Sequence, residues 1–448
     1  MKKENNNEKG QSSSSLPPHI QKYLPPSFTG RGRGWVCIED VALELSRRSD
    51  LDAPFVLRQI EGYQRMRTKV PRWTEVEDIH FPPRLALEQC SGQPAAEYKT
   101  SVVSRLIRSE CPVSGGSGIA GPSFVDLTGG MGVDFSFIAP LFNTRTYVEQ
   151  REELVEAARH NFPLLGLADA QIVHGDGVEY LRSLPLTEGD NRVLDLIFLD
   201  PARRDAHGGK TVLIEDCEPN VAELLPLLRA KARYTMVKLS PMLDVHRAIA
   251  TLHAISPGCV EEVHVFASGG ECKDLLLVIT GAPVPCDASQ GAVPAPSIYC
   301  ADEHGIFAFT QNEEATAAFA LCRNPSGYLH EPGPAIMKAG AFRSIAARFG
   351  LAKLHTNSHL YTSPQPVADF PGRSFNIERT YSFAKAELKA LAADLKAEGG
   401  KANLTVRNFP ATVADLRKKL KIKEGGSTYL FATTDANERK IIVRCSKI

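Results

Sequence analysis

An α/β fold is expected, with a helical region before a mainly parallel sheet and α+β domains after it. Three observations predict it. From residue 123 short apolar runs alternate with helical segments. The runs are almost continuously apolar, as strands covered on both faces are. A Gly-rich turn follows the first run, where a strand gives way to a helix.

The elements follow in chain order. Residues 1–17 are polar, rich in Ser and Asn, and read as a disordered tail. Residues 18–110 read as a mainly helical domain, with apolar residues at helical spacing over 41–45 and 55–63 and prolines at 54, 71, 82 and 83. A Gly/Ser/Pro loop at 111–122 opens a domain reaching to 282. Its strands are expected at 124–127, 146–149, 170–173, 194–199, 234–238, 261–267 and 275–279, with helices such as 152–161 and 221–231 between the first five. The last two strands read as a hairpin around Ser-Gly-Gly-Glu-Cys-Lys-Asp. A Pro/Ala-rich connector at 281–300 leads into a small α+β unit over 283–332. The remainder, 333–448, is expected to hold helices at 334–349, 384–397 and 413–420, a strand at 402–407, and a hairpin of 428–434 with 439–445.

The 448 residues, 43% hydrophobic and 23% charged, suit a soluble chain of several domains. Lys and Arg equal Asp and Glu at 52 each, yet from Lys338 onward there are 20 basic against 9 acidic residues. A basic C-terminal region points to an anionic partner or to a solvated basic surface. The ten cysteines show no C-x-x-C spacing, which fits reduced thiols in a cytoplasm and argues against a metal centre. No apolar segment follows the charged N-terminus as in a signal peptide, and none approaches the ~18 residues of a membrane span.

The strongest local signal is Phe-Val-Asp126-Leu-Thr128-Gly129-Gly130-Met-Gly132-Val-Asp134. Gly130 and Gly132 allow a tight turn and a close backbone approach to a ligand. Glu149 ends the second strand, Asp176 follows the third in His-Gly-Asp-Gly, and Asp200 ends the fourth in Asp200-Pro201-Ala-Arg203-Arg204. Four acids thus fall at the carboxyl ends of four successive strands, where open α/β sheets bind ligands. A nicotinamide dehydrogenase would share the glycine turn and the first acid. It would not account for the Asp-Pro after strand four or the terminal hairpin.

A parallel sheet closed by one antiparallel hairpin resembles the Rossmann-like, seven-stranded class I methyltransferase fold. The resemblance implies S-adenosylmethionine (SAM) as cofactor. Asp126 would meet its amino-acid end, Thr128, Gly129, Gly130 and Gly132 would wall it, Glu149 would accept from the ribose, and Asp176 from the adenine amine. Thr128 stands where the usual pattern has its first glycine, and Gly129 is extra. Asp200-Pro201 resembles the motif of RNA base amino-methyltransferases, in which a side-chain oxygen and a backbone carbonyl accept both amine N–H bonds and free the lone pair. Ala202 and Arg203 depart from the second proline and aromatic of that motif. Uracil-5 methyltransferases carry a closer Asp-Pro-Pro-Arg, but they need a cysteine after strand five, where this chain has Lys238-Leu-Ser240-Pro. A hydroxyl is too weak a nucleophile for that role. Cys217, among Glu215, Asp216 and Glu218, reads as structural. Arg203 and Arg204 either clamp a substrate phosphate or pair with those acids, and Lys238 has the same two readings.

From about residue 35 the chain resembles a family of bacterial methyltransferases with a C-terminal THUMP-like domain. The matching stretches include Leu85–Gln89, Ala95–Lys99, Asp126–Asp134, Asp200–Arg204, Lys238–Asp244, Gly270–Leu276, Lys338–Arg343, His355–Thr362, Val406–Pro410 and Thr428–Ala432. The resemblance implies a ferredoxin-like unit at 283–332 and a module at 333–448 that docks structured RNA. Arg407, Arg417, Lys418, Lys419, Lys421 and Lys423 fit that role, since such a face neutralises phosphates without reading sequence. A solvated helix face is the other reading. Tyr98 and Lys99 either cover the cofactor pocket or belong to an ordinary helix. His355 and His359 lack further metal ligands. RNA base-nitrogen methylation is the leading expectation; the alternatives are a protein or small-molecule substrate, or a non-catalytic RNA-binding factor.

Overall fold

The computed structural model describes residues 38–46, 52–108, 121–186, 192–203, 213–282 and 294–448. The expected tail at 1–17 lies outside them. The described chain forms two compact units. The first holds the residues up to 203 with 217–237 and 280–282; the second holds 213–216, 238–279 and 294–448.

The first unit opens with helices α1 (Ile38–Leu45), α2 (Ala53–Lys69), α3 (Pro71–Thr74), α4 (Arg84–Gln89) and α5 (Gln93–Arg108). Asp52 caps α2 by accepting from the Phe55 amide at 3.1 Å, Pro54 stands in its first turn, and Arg67 and Lys69 in its last. The apolar stripes of these helices build a core of Val41, Val56, Ile60, Trp73 and Ala96. Met131, within the glycine turn, and Val133 and Phe137, just after it, belong to the same core.

Next come β1 (Ser123–Asp126), α6 (Val133–Ile138), β2 (Thr144–Glu149), α7 (Glu152–Leu164), β3 (Gln171–His174), α8 (Gly177–Ser183) and β4 (Leu194–Leu199). A short ribbon of β5 (Ala202–Arg203) and β6 (Cys217–Glu218) precedes α9 (Val221–Lys231) and β7 (Ala232–Leu239). The five long strands are parallel in the order β7-β4-β1-β2-β3. The order of connection reverses on either side of β1, and in open sheets of this kind ligands bind at the carboxyl ends of the strands at that point.

In the second unit α10 (Val245–Ile255) precedes β8 (Val260–Ser268) and β9 (Glu271–Thr280), which form the expected antiparallel hairpin. Gly269 and Gly270 turn it, at φ of 60° and 81°, values a two-residue hairpin turn requires. Strands β10 (Ser297–Asp302) and β11 (Gly305–Thr310) then lie alongside β8, β10 parallel to it and β11 antiparallel to β10. This differs from the separate small unit expected over 283–332. Ile298 and Cys300 are buried in β10, and pairing with β8 covers an edge that a hairpin alone would leave open.

After α11 (Gln311–Thr316) an eight-stranded sheet follows. Its strands are β12 (Ala320–Leu321), β13 (Tyr328–Pro332), β14 (Ala352–Lys353), β15 (Tyr361–Ser363), β16 (Gly372–Ser382), β17 (Asn403–Arg407), β18 (Thr428–Thr434) and β19 (Lys440–Lys447), in the order β12-β14-β15-β13-β16-β19-β18-β17. The single helix expected over 334–349 is two, α12 (Pro334–Ala339) and α13 (Ser344–Phe349), because Gly340 takes a left-handed φ of 78° that ends the first. α14 (Lys385–Ala397) and α15 (Val413–Leu420) cover one face of the sheet through Leu388, Leu391, Leu416 and Leu420. No helix among the described residues is long and apolar enough to cross a membrane.

Candidate functional site

The turn after β1 is shaped by close approach. A Cβ on Gly129 would lie 2.3 Å from the Tyr147 ring, and one on Gly132, at φ 84°, would lie 2.8 Å from Phe162. Gly130 also has a positive φ, of 57°, and its amide donates to Glu149 Oε2 at 2.7 Å. The Tyr147 hydroxyl donates to the Gly130 carbonyl at 2.5 Å. Thr128 has a role a glycine could not fill. Its amide donates to Asp126 Oδ1 at 2.9 Å, and its hydroxyl accepts from the Asp200 amide at 2.7 Å. The side chain therefore ties the end of β1 to the end of β4.

Three of the expected acids gather here. Asp126 is buried, and burial pushes its carboxyl up to about 8. The Thr128 amide opposes that rise, while the charges of Asp134, Asp200 and Glu149 add to it. Glu149 is also buried; its Oε1 accepts from the Arg151 amide at 2.9 Å and from Arg151 Nε at 3.1 Å. Asp200 is half-buried and Pro201 buried. Asp176 is exposed and caps α8, accepting from the Val178 and Glu179 amides at 2.7 and 3.0 Å, while Gln150 donates to its other oxygen at 2.7 Å.

Two residues of this region were not singled out as site residues from the sequence. A Cβ on Gly177 would lie 2.0 Å from the Leu127 carbonyl oxygen, so the helix after β3 presses its backbone onto the glycine turn. The available signal was the pair of glycines around Asp176. Asp134 stands out in the sequence only as the end of the motif, yet its charge acts on Asp126 and it pairs with buried Lys99 at 2.9 Å. Tyr98 is half-buried beside it.

The expected substrate residues are scattered. Arg203 lies in the β5–β6 ribbon, its backbone opposite Cys217, which is buried. Arg204 lies outside the described residues. Lys238 is buried near the end of β7, which suits internal pairing better than a phosphate clamp. Arg407 donates to buried Glu331 at 3.1 Å, and Arg373 pairs with the same carboxylate. Arg417 pairs with Glu424 at 3.1 Å. Lys418 and Lys419 are exposed on α15, with the Lys419 ammonium 4.2 Å above the Phe383 ring. His355 pairs with Glu438 at 2.8 Å and His359 stacks on Phe342 at 3.6 Å. Among the described residues no group of three His, Cys, Asp or Glu side chains could hold a metal ion.

The donor set suits a cationic nucleoside. A buried acid surrounded by other carboxylates favours a positive ligand, and at Gly130 the turn is open, since a Cβ there would meet only the Thr128 carbonyl at 3.5 Å. A ferredoxin-like domain family matches residues 328–371, and a THUMP domain-like family matches 372–447. The ferredoxin-like match lies downstream of the 283–332 span expected from the sequence. No curated protein matches the sequence. The chain is similar to a solved structure of a candidate methyltransferase from Porphyromonas gingivalis W83. Identity is 32%, coverage is 92% of this chain and 97% of that one, and the TM-score is 0.72. More distant are the N-terminal domain of human METTL16 in complex with SAH and the human methyltransferase 10 domain containing protein. The first is 15% identical, covers 51% of this chain and 83% of that one, and has a TM-score of 0.35. The second is 16% identical, covers 50% and 96%, and has a TM-score of 0.34.

Proposed function

The chain belongs to a family of class I methyltransferases that carry a THUMP-like C-terminal domain, and from that premise we propose that it methylates a base nitrogen of RNA with SAM as donor. The observation that carries this reading is the tie from Thr128 to Asp200, which sets a half-buried carboxylate beside the glycine turn and its buried acids.

In this reading Asp126 and the glycine turn bind the amino-acid portion of SAM, Glu149 accepts from the ribose and Asp176 borders the adenine. The cofactor supplies an electrophilic methyl group. Asp200 and the Pro201 carbonyl accept the two N–H bonds of an exocyclic amine. That holds the nitrogen pyramidal and aims its lone pair, so rate comes from positioning and electrostatics. Arg203 occupies the place of the usual aromatic, with its backbone held in the β5–β6 ribbon, so the stacking surface for the base must come from another element. Docking falls to the THUMP-like domain, where Lys418 and Lys419 offer exposed charge to phosphates and Arg417 adds a partly neutralised third.

The test is Asp200→Ala, assayed for methyl transfer to cellular RNA and, separately, for S-adenosylhomocysteine (SAH) binding. Transfer should vanish while binding persists. Undiminished transfer would remove Asp200 from the chemistry. Label from methyl-labelled SAM that resists nuclease would point to a protein or small-molecule substrate. SAH binding with no turnover on any cellular RNA would favour a non-catalytic factor.

A further inference from the structure

The acids around the glycine turn have a buried counter-charge that the parallel sheet does not provide. Lys99 lies on α5, on a face otherwise lined by buried Ala95, Ala96, Val102, Val103 and Leu106. It is 0% exposed. A lysine in such a stripe is destabilising unless its ammonium is fully engaged. Its Nζ donates to Asp134 Oδ1 at 2.9 Å and to Ser91 Oγ at 2.8 Å, and Ser91 Oγ donates to Asp134 Oδ2 at 2.7 Å. The three side chains close a ring in which both oxygens of Asp134 are held.

Asp134 stands two residues after Gly132, in the first turn of α6. Every residue of α6 is buried. The helix is gripped at further points by the same N-terminal region. Trp73 Nε1 donates to Ser136 Oγ at 3.1 Å, and the Arg72 guanidinium sits 5.0 Å from the centre of the Phe137 ring. The glycine turn is thus clamped between Glu149 on the sheet side and the Lys99–Ser91–Asp134 ring on the helical side.

We propose that Lys99 is a positioning residue for the cofactor: by neutralising Asp134 it holds the glycine turn in its ligand-binding conformation. The N-terminal helices thereby become part of the cofactor site. This rests on the reading that the turn binds SAM. Without the lysine, Asp134 loses the buried ammonium that engages it while its charge still acts on Asp126. It then either takes up a proton or pulls the start of α6, and the turn with it, toward water.

The experiment is calorimetry of SAH binding to the full chain, with melting temperature recorded separately. Lys99→Met should weaken SAH binding by about tenfold or more at pH 8. The loss should be smaller at lower pH, where proton uptake by the neighbouring carboxylates relieves the repulsion between Asp134 and Asp126. Lys99→Met/Asp134→Asn should regain most of the affinity at pH 8, and Lys99→Arg should lose least. A melting temperature lowered with SAH affinity unchanged at every pH would make Lys99 merely structural and overturn the proposal. Should Lys99→Met not fold, Asp134→Asn takes its place. It keeps hydrogen-bonding atoms but breaks the ion pair, and unchanged SAH affinity in that variant overturns the proposal equally. Failure of the unsubstituted protein to bind SAH would instead defeat the cofactor reading on which the proposal stands.

Discussion

Asp126 holds its proton far above the ordinary aspartate range, and that has a measurable consequence. Burial and neighbouring carboxylates push it up to about 8, whereas in the unfolded chain it titrates near ~4. Between those values the native state binds one proton more than the unfolded chain, so stability falls as pH rises from about 4 to about 8. The ligand-free protein should therefore melt at a lower temperature at pH 8 than at pH 6. Asp126→Asn should flatten that slope and weaken SAH binding. A slope unchanged in Asp126→Asn would show that other groups set it. Gly177 carries a second prediction. A methyl group there meets the Leu127 carbonyl at 2.0 Å, so Gly177→Ala should destabilise by about 1–3 kcal/mol or more, read by chemical denaturation. Asp126, Glu149 and Asp200 were legible as site candidates because each closes an apolar strand, and the carboxyl ends of parallel strands face the ligand crevice. Lys99 was legible only as one of two readings, a cover for the cofactor pocket or an ordinary helix residue, because nothing in residues 95–106 says which way that face turns.

At the scale of elements, α15 shows how a helix that reads as one basic face divides by role. Thr412 and Asp415 form a reciprocal cap at its start, so Thr412→Ala should lower stability by about 1 kcal/mol in equilibrium unfolding. Leu416 and Leu420 pack inward, and Lys418 and Lys419 face solvent. If these lysines meet phosphates, Lys418→Gln should reduce the salt dependence of RNA binding by about one unit of slope, alike for different sequences. Arg407→Gln should act otherwise. Its guanidinium is shared with buried Glu331, so the variant should lose stability more than salt slope. Periodicity located α15 and the 428–445 hairpin. It joined α12 to α13 because a lone glycine in an apolar pattern does not announce its φ. It also made a separate unit of β10 and β11, since pairing partners are not written in a strand's own residues.

Over the whole molecule, two compact units carry different duties in the proposed reading. The first contains the glycine turn, its acids and the helices that clamp it, and the second contains the basic sheet-and-helix module. SAH at about 100 times its dissociation constant should stabilise the folded protein by about 2.7 kcal/mol, seen as a rise in melting temperature. Asp126→Asn should reduce that rise; Lys418→Gln should leave it unchanged, and a shared loss would mean the basic helix contributes to cofactor binding. Alternating apolar runs, the glycine turn and the acids at strand ends were enough to establish a mainly parallel α/β sheet with its ligand end, because burial on both faces and tight turns restrict which residue types can appear there. The closing hairpin added the resemblance to the methyltransferase fold. What the tertiary structure alone decided was partnership: Thr128 with Asp200, Lys99 with Asp134, Arg407 with Glu331, β10 with β8. Those pairs join residues far apart in the chain, and a charge or a strand edge acquires its meaning only from what the fold sets against it.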